Sequence, residues 1–516
     1  MALQQLQQYA AENGHSDVAE PISVDDILRR LADGDVSKLG LPPSSLLSVF
    51  RLPQSRLREL WLKALRRAFA AAEDEIGRGR DVIITSHLCY FHHKYRDFVA
   101  VAQLDAFKRL AKRRVEKVIT LIDDVFDTYA RLTGPGQTFN PPRDLETPYI
   151  DGLRTLSWRA SELMLSSGLA TMLGARHFVF ATKHPVSALH KLLYSARPCL
   201  YISHPITEVR RLRAHKKFVE ADALVGGISE TVEDLATDFV VLEPTTIDEL
   251  RFVDFVRNRA PISGKLTDRW PFHVEGRETC WSKPDTPRTR YHFPVGWDAD
   301  DRGEVDGSRP AVREFIESIE RQISARDHWL VEQSDFLVCL RPIFEGHASG
   351  GVRNELEHIK TLRAFRSKKP DRAFVVSPRG DHAAFPCRQL ADEILKTRFD
   401  HGQIVADSGA DFLRLQEHLR ELTRPDETIQ KILASESVAL HRLLNRFSCS
   451  IASDAGVMDG ENTSARDAVA EAILVEITEK SEPYLAGLQE LLTIHENVDS
   501  MLREIRSTYP LSEVTS

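Results

Sequence analysis

Cysteine is scarce. Six thiols (Cys89, Cys199, Cys280, Cys339, Cys387 and Cys449) are scattered over 516 residues, with no C-x-x-C pair. That spacing excludes a disulfide-stapled scaffold and a paired-cysteine zinc site, and reads as reduced, buried thiols in a cytosolic protein. No window approaches 18 uninterrupted apolar residues, so no helical membrane span is expected. The opening stretch MALQQLQQYAAENGHSD has neither a basic patch nor an apolar core, so no secretory signal is expected there. An excess of one charge is missing too: a net charge of −8, with both signs interspersed, excludes a wholly basic nucleic-acid coat. Short basic stretches such as Lys108–Lys117 leave nucleic acid open as a partner, or read as one solvated helix face. No repeat of 20–50 residues recurs.

What is present is globular: 42 % hydrophobic and 28 % charged residues. The length suggests about three domains. Residues 1–80 read as a helical arm. Within it, Leu57, Trp61, Leu65, Ala68, Ala72 and Ile76 recur at helical spacing. Residues 81–195 read as a first α/β domain with strands in DVIITS (Asp81–Ser86), EKVITLI (Glu116–Ile122) and HFVFAT (His177–Thr182), and a polar loop, SHLCYFHHKYRD, after the first. The pattern restarts at PCLYIS (Pro198–Ser203). Strands in DFVVLEP (Asp238–Pro244), SDFLVCLRP (Ser334–Pro342) and RAFVVSP (Arg372–Pro378) then make residues 196–405 a second α/β domain. Short apolar runs that each feed a polar turn and a helix are the mark of buried parallel strands. The insert Gly264–Gly307 interrupts this domain and reads as a lid or as a packed loop. Residues 406–516, with helices over Asp411–Asn445 and Ala468–Arg506, read as a helical C-terminal region. The expected class is α/β: two Rossmann-like units of parallel sheet flanked by helices, with a helical arm and tail.

The strongest chemical signal is a pair of strand–turn–helix segments, CLYISHPIT (Cys199–Thr207) and SDFLVCLRPIFEGHASGGVRNELEHI (Ser334–Ile359). Both turns belong at the carboxyl edge of one sheet, where open α/β sheets bind ligands. Gly350 and Gly351 bring backbone amides near the start of a helix, and Glu355 follows one turn in. A carboxylate so placed is a candidate nucleophile or oxocarbenium stabiliser; the alternative is a solvated helix residue beside Glu357.

These segments resemble the nucleoside 2-deoxyribosyltransferase family. YISHP stands where the family has a Y-L-A-G-P-like turn, SDFLV where it has an A-D-I-V-V-like strand, and SGGVRNEL where it has D-S-G-T-x-x-E-L-G. The resemblance implies Glu355 as the nucleophile attacking the sugar's anomeric carbon, and Asp335 as the acid beside it. It also implies a substrate site lined by Tyr201, Ser203, His204, Pro205, His347, Ser349, Gly350 and Gly351. His204 replaces the family's first-turn glycine, and Ser349 replaces the acid six positions before the nucleophile, which puts deoxyribosyl exchange in doubt. Val352 instead resembles the branch that hydrolyses nucleoside monophosphates. Related folds cleave the nicotinamide bond of NAD, so a dinucleotide stays open. Arg210, Arg211 and Lys216 could bind a phosphate, or simply form a solvated helix face.

The first α/β domain resembles P-loop nucleotide kinases of the adenylate kinase kind, through TSHLCYF, ITLIDDVFDTY, WRASE and HFVFATKHP. The resemblance puts Asp123 and Asp124 at the Mg²⁺-binding strand end and Thr85, Ser86 and His87 in the polar cluster. The G-x-x-x-x-G-K-[ST] cradle is absent from residues 1–80, so the site is expected to be vestigial. No cofactor is expected, Mg²⁺ entering only if this domain is active. His87, His92 and His93 lack an acid or cysteine at zinc spacing and read as loop histidines. Two functions follow. One is a cytoplasmic, homo-oligomeric enzyme that cleaves a nucleotide's base–sugar bond, in nucleotide metabolism or antiphage defence. The other is a non-catalytic nucleotide-sensing assembly protein.

Overall fold

The computed structural model describes residues 2–12, 21–40, 46–92, 97–111, 115–133, 138–139, 147–206, 209, 218–247, 249–250, 253, 309–344, 347–365, 372–376 and 491–509. The insert 264–307, the helix expected over 411–445, and Thr207, Arg210, Arg211, Lys216 and His93 lie outside the described residues. The chain is a mixed α/β protein that divides into two compact units: residues 1–197 with 242–333, and residues 198–241 with 334–516. No described helix is long and apolar enough to cross a membrane.

The first unit holds three two-stranded sheets among the described residues. β1 (Ile22–Ser23) pairs in parallel with β2 (Ile84–Thr85), β3 (Cys89–His92) is antiparallel to β4 (Asp97–Ala100), and β5 (Lys117–Ile122) runs parallel to β6 (Arg176–Ala181). The segment expected to be a polar loop is therefore a hairpin, because Cys89, Tyr90, Phe91 and His92 are all buried. The helix Val24–Lys38 is capped by Ser23, whose hydroxyl accepts from Asp26 N–H at 3.1 Å, and Asp25 and Asp26 complement its first-turn dipole. Its Val24, Leu28, Ala32 and Val36 face Leu57, Trp61, Leu65 and Ala68 of the helix Gln54–Gly77.

That core continues through Leu88, Tyr90, Val101, Phe107 and Leu169. Residues 1–80 are therefore no separate arm; they share one hydrophobic core with the segment that follows. Each fully buried Leu or Val contributes about 1.5–3 kcal/mol, which no solvated arm would gain.

Residues 242–333 also belong to the first unit, although the sequence pattern assigns them to the second domain. Two clasps explain this. Gln333 at the end of the helix Pro310–Gln333 bonds both Val179 N–H (2.7 Å) and Val179 C=O (2.8 Å), satisfying β6 as a neighbouring strand would. Arg159, on the helix Thr147–Leu173, grips fully buried Glu249 through two bonds of 2.7 and 2.9 Å and reaches Gln322 at 2.9 Å. Glu249 also accepts from Val125 N–H at 2.6 Å.

The second unit is built on one five-stranded sheet in the order β13 (Leu492–His495), β12 (Ala373–Val376), β9 (Phe336–Leu340), β7 (Cys199–Ser203), β8 (Val240–Leu242). β7 pairs in parallel with β9, β9 with β12, and β12 with β13. β7, β8, β9 and β12 are buried throughout, as strands covered on both faces must be. The expected all-helical C-terminal region needs correction: Leu492–His495 lies within the predicted helix 468–506 and is the edge strand of this sheet. Its threonine and isoleucine favour extended backbone, and β12 supplies the hydrogen-bonding partner. The helix Val498–Thr508 follows, capped by Asn497, and Tyr509 stacks on Phe336 at 4.4 Å.

Replacing Arg159 by Met strands the Glu249 charge in the interior. We expect a loss of about 3–5 kcal/mol in urea unfolding, largely recovered in the double variant Arg159→Met/Glu249→Leu, since apolar isosteres of buried pairs are tolerated. A single variant of wild-type stability would show that the clasp holds nothing.

Candidate active site at the carboxyl edge of the second sheet

In chain order the sheet reads 5-4-3-1-2, so successive connections from β7 lead first to one side (β8) and then to the other (β9). The crevice between the carboxyl ends of β7 and β9 is the switch point at which such sheets take ligands. Ser203 and Cys339 face each other in register there.

Three residues converge on this point. Alternation along β7 places Tyr201 and Ser203 on one face. The helix Gly350–Ala364, which follows β9, turns Val352, Glu355, Leu356 and Ile359 to one side by their i, i+3, i+4, i+7 spacing, and all four are buried. A carboxylate in that position is costly unless hydrogen-bonded. Tyr201 O–H donates to Glu355 Oε1 at 2.6 Å, and Ser203 O–H donates to Oε2. Glu355 is only 6 % exposed. Each oxygen thus receives a neutral hydroxyl donor. Burial pushes the Cys339 thiol well above its ordinary pKa, the Glu355 charge pushes it further, and a Ser203 hydrogen bond opposes the shift.

The other expected residues divide. His204 and Pro205 follow β7 directly and are buried at the same edge. Ser349 is the N-cap residue of the Glu355 helix, 2 % exposed; its N–H donates to Pro342 C=O at 3.1 Å, and its hydroxyl makes no capping bond. A Cβ at Gly350 would meet nothing within 4 Å, so open space borders the helix start. His347 sits in a hairpin of β10 (Ile343–Phe344) and β11 (His347–Ala348), opposite Phe344.

Asp335 is not beside Glu355. It caps the amino end of the sheet, where Cys199 N–H donates to its Oδ2 at 2.8 Å and its own N–H donates to Cys199 C=O at 2.7 Å. Four strand residues, about 13 Å, separate that end from Ser203. Two residues at this edge that sequence reasoning did not single out are Cys339, inside the strand SDFLVCLRP, and Arg341, which follows β9 with φ +48. A left-handed backbone at a bulky non-glycine residue is costly and clusters at functional edges.

In the first unit the four candidate residues fall into two groups. His87 associates with Asp25, Tyr90, Glu162 and Trp158, while Thr85 is in β2, paired with Ser23. Asp123 and Asp124 end β5. Asp123 pairs with Arg131 at 2.7 Å, Asp127 with Lys183 at 2.7 Å, and Glu249 with Arg159. Fully buried Asp124 caps the helix Val125–Leu132, its Oδ1 accepting from Phe126 N–H at 2.8 Å. Among the described residues no group of three or more His, Cys, Asp or Glu side chains could hold a metal ion. Asp123, Asp127 and Glu249 are each paired with a cation, whereas the buried Oδ2 of Asp124 has no hydrogen-bond partner among the described residues.

Compared with protein-family models and with curated proteins, the chain matches none.

Burial raises the Asp124 pKa to about 8; nearby Glu249, Asp127 and Asp123 raise it too, and Lys183 opposes them. A carboxyl raised in the folded state stabilises fully below its unfolded value, about 4, and that stability is lost as pH rises through about 8. We therefore expect wild-type stability to fall more steeply across that window than that of Asp124→Asn, which keeps a capping side chain. Parallel stability curves would mean that Asp124 is already ionised at neutral pH.

Proposed function

We propose that the second unit cleaves the base–sugar bond of a nucleotide, with Glu355 as the nucleophile, in a Rossmann-like fold akin to the nucleoside 2-deoxyribosyltransferases. The observation that carries this reading is the buried Glu355 carboxylate, fixed by Tyr201 and Ser203 at the switch point between β7 and β9. Hydroxyl donors on separate oxygens support a carboxylate held in a fixed orientation at that edge. A carboxylate held like this can attack the anomeric carbon as the C–N bond breaks, its electron pair leaving on the base nitrogen. Water then attacks the same carbon and releases Glu355. With Asp335 at the far end of the sheet, no role remains for it in protonating the base.

The start of the Glu355 helix supports a phosphorylated substrate. Its first-turn amides receive no bond from the Ser349 hydroxyl, no acidic residue occupies the first turn, and open space lies beside Gly350. Helix starts of this kind take phosphates. The rise from Gly351 to Glu355 is about 6 Å, similar to the reach from a 5′-phosphate to the anomeric carbon. A cytoplasmic, homo-oligomeric enzyme of nucleotide metabolism or antiphage defence remains part of the same proposal.

The test is base release, read by chromatography, from nucleosides, nucleoside mono- and triphosphates and NAD. Wild type is expected to release base from a monophosphate, and Glu355→Gln to lower that rate by about 10³-fold or more with its fold intact. Ser349→Asp should raise KM for the monophosphate, through repulsion at the helix start, far more than for the unphosphorylated nucleoside. An undiminished rate in folded Glu355→Gln would sink the nucleophile assignment; silence across the panel would favour the non-catalytic assembly reading.

A further inference from the structure

In the first unit, the turn between β2 and β3 aims three consecutive backbone amides at carboxylates. His87 N–H bonds to Asp25. Leu88 N–H reaches both oxygens of Glu162 at 3.0 and 3.1 Å, and Cys89 N–H reaches Glu162 Oε1 at 2.9 Å. Trp158 Nε1–H adds a further donor to the same oxygen at 3.2 Å, and His87 Nδ1 lies 3.7 Å from it. Adjacent main-chain N–H groups that converge form a nest, a concavity that binds phosphate and similar anions; Leu88 and Cys89 N–H converge on Glu162, beside His87 N–H on Asp25. Here the anions are the chain's own. Asp25 comes from the first turn of the helix Val24–Lys38 and also receives the Tyr90 hydroxyl; Glu162 comes from the helix Thr147–Leu173.

The nest is not sealed in the core: the Glu162 side chain is 14 % exposed and that of His87 is 50 % exposed. Desolvation pulls the His87 pKa down, but the hydrogen bond to Glu162 and the charges of Asp25 and Glu162 raise it overall. The mouth of the nest therefore carries a group whose positive charge any bound anion would favour.

We propose that the 87–89 turn is a binding site for a small oxyanion, of the phosphate or carboxylate type, that the protein keeps filled with its own Glu162. On this view the missing glycine-rich cradle has a substitute of backbone amides. The first unit is closed to free phosphate because an internal carboxylate already occupies the position, and that carboxylate joins the turn to the helix Thr147–Leu173. The inference is independent of the role of Glu355.

The experiment is a thermal melt of full-length Glu162→Ala in phosphate, sulfate or formate, against chloride at matched ionic strength. We expect Glu162→Ala to melt below wild type and to recover, dose-dependently, with phosphate or formate. Wild type should be unmoved by either anion beyond the chloride control. Glu162→Gln, which keeps an acceptor oxygen and fills the space, should respond little. Should Glu162→Ala fail to fold in chloride, refolding rescued by formate or phosphate supports the proposal. A folded Glu162→Ala indifferent to both anions overturns it, as does a Glu162→Ala that no anion rescues while Glu162→Gln folds.

Discussion

A carboxylate placed between a parallel sheet and its covering helix is the constraint around which the second unit is organised. Glu355 can occupy that position only if donors reach its oxygens. Tyr201 and Ser203 supply them because two positions along a strand return to the same face. The strand order brings β7 beside β9, so donors from the first strand of the sheet meet an acceptor on the helix that follows the third. Val352, Leu356 and Ile359 hold the helix in rotation, so their packing sets where the carboxylate points. Shifting the β7 register by one residue would turn both hydroxyls away from Glu355 and bury its charge without donors.

The first unit uses its engaged carboxylates as fasteners. Glu249 is gripped by a bidentate guanidinium, Asp127 by Lys183 and Asp123 by Arg131, while Glu162, like Glu355, is held by neutral donors, here amides and an indole N–H. Charge-assisted and multiply donated bonds are strong and costly to disrupt. Carboxylates so engaged fasten segments distant in sequence: residues 25, 87–89 and 162 in one cluster, 123–125, 159, 249 and 322 in the other. Asp124 differs from these: its Oδ1 caps a helix, while its buried Oδ2 has no hydrogen-bond partner among the described residues.

Much of this was legible in the sequence because the signals are local. Apolar runs ending in polar turns located β5, β6, β7, β8, β9 and β12. The i, i+4 spacing found the helix Gln54–Gly77, and the Gly-Gly-to-Glu interval placed Glu355 one turn into its helix. Three features could not be read because they depend on pairing across long separations. The family resemblance implied Asp335 as the acid beside the nucleophile, but a strand carries its two ends about 13 Å apart and assigns them to opposite edges of the sheet. Leu492–His495 sits among helical residues and becomes a strand through the partner offered by β12. Residues 242–333 read as a continuation of the second unit's βα alternation, yet a glutamate and a glutamine some 90 and 154 residues away from their partners return them to the first.

The position of Asp335 also bears on mechanism. Retaining glycoside cleavage generally uses two carboxyl groups about 5 Å apart, one as nucleophile and one to protonate the leaving group. Asp335, bonded to Cys199 at the amino end of the sheet, is too far from Glu355 to be the second group of such a pair. A sugar alcohol leaving group depends on such a protonating acid. A heterocyclic base does not need it to the same degree, because its ring delocalises the departing electron pair and can take a proton from water after the bond has begun to break. Under the proposed reading, a Glu355 nucleophile without Asp335 beside it suits a C–N bond between sugar and base better than a C–O bond between sugars. That preference rests on the proposed role of Glu355 and on the place of Asp335 in the sheet.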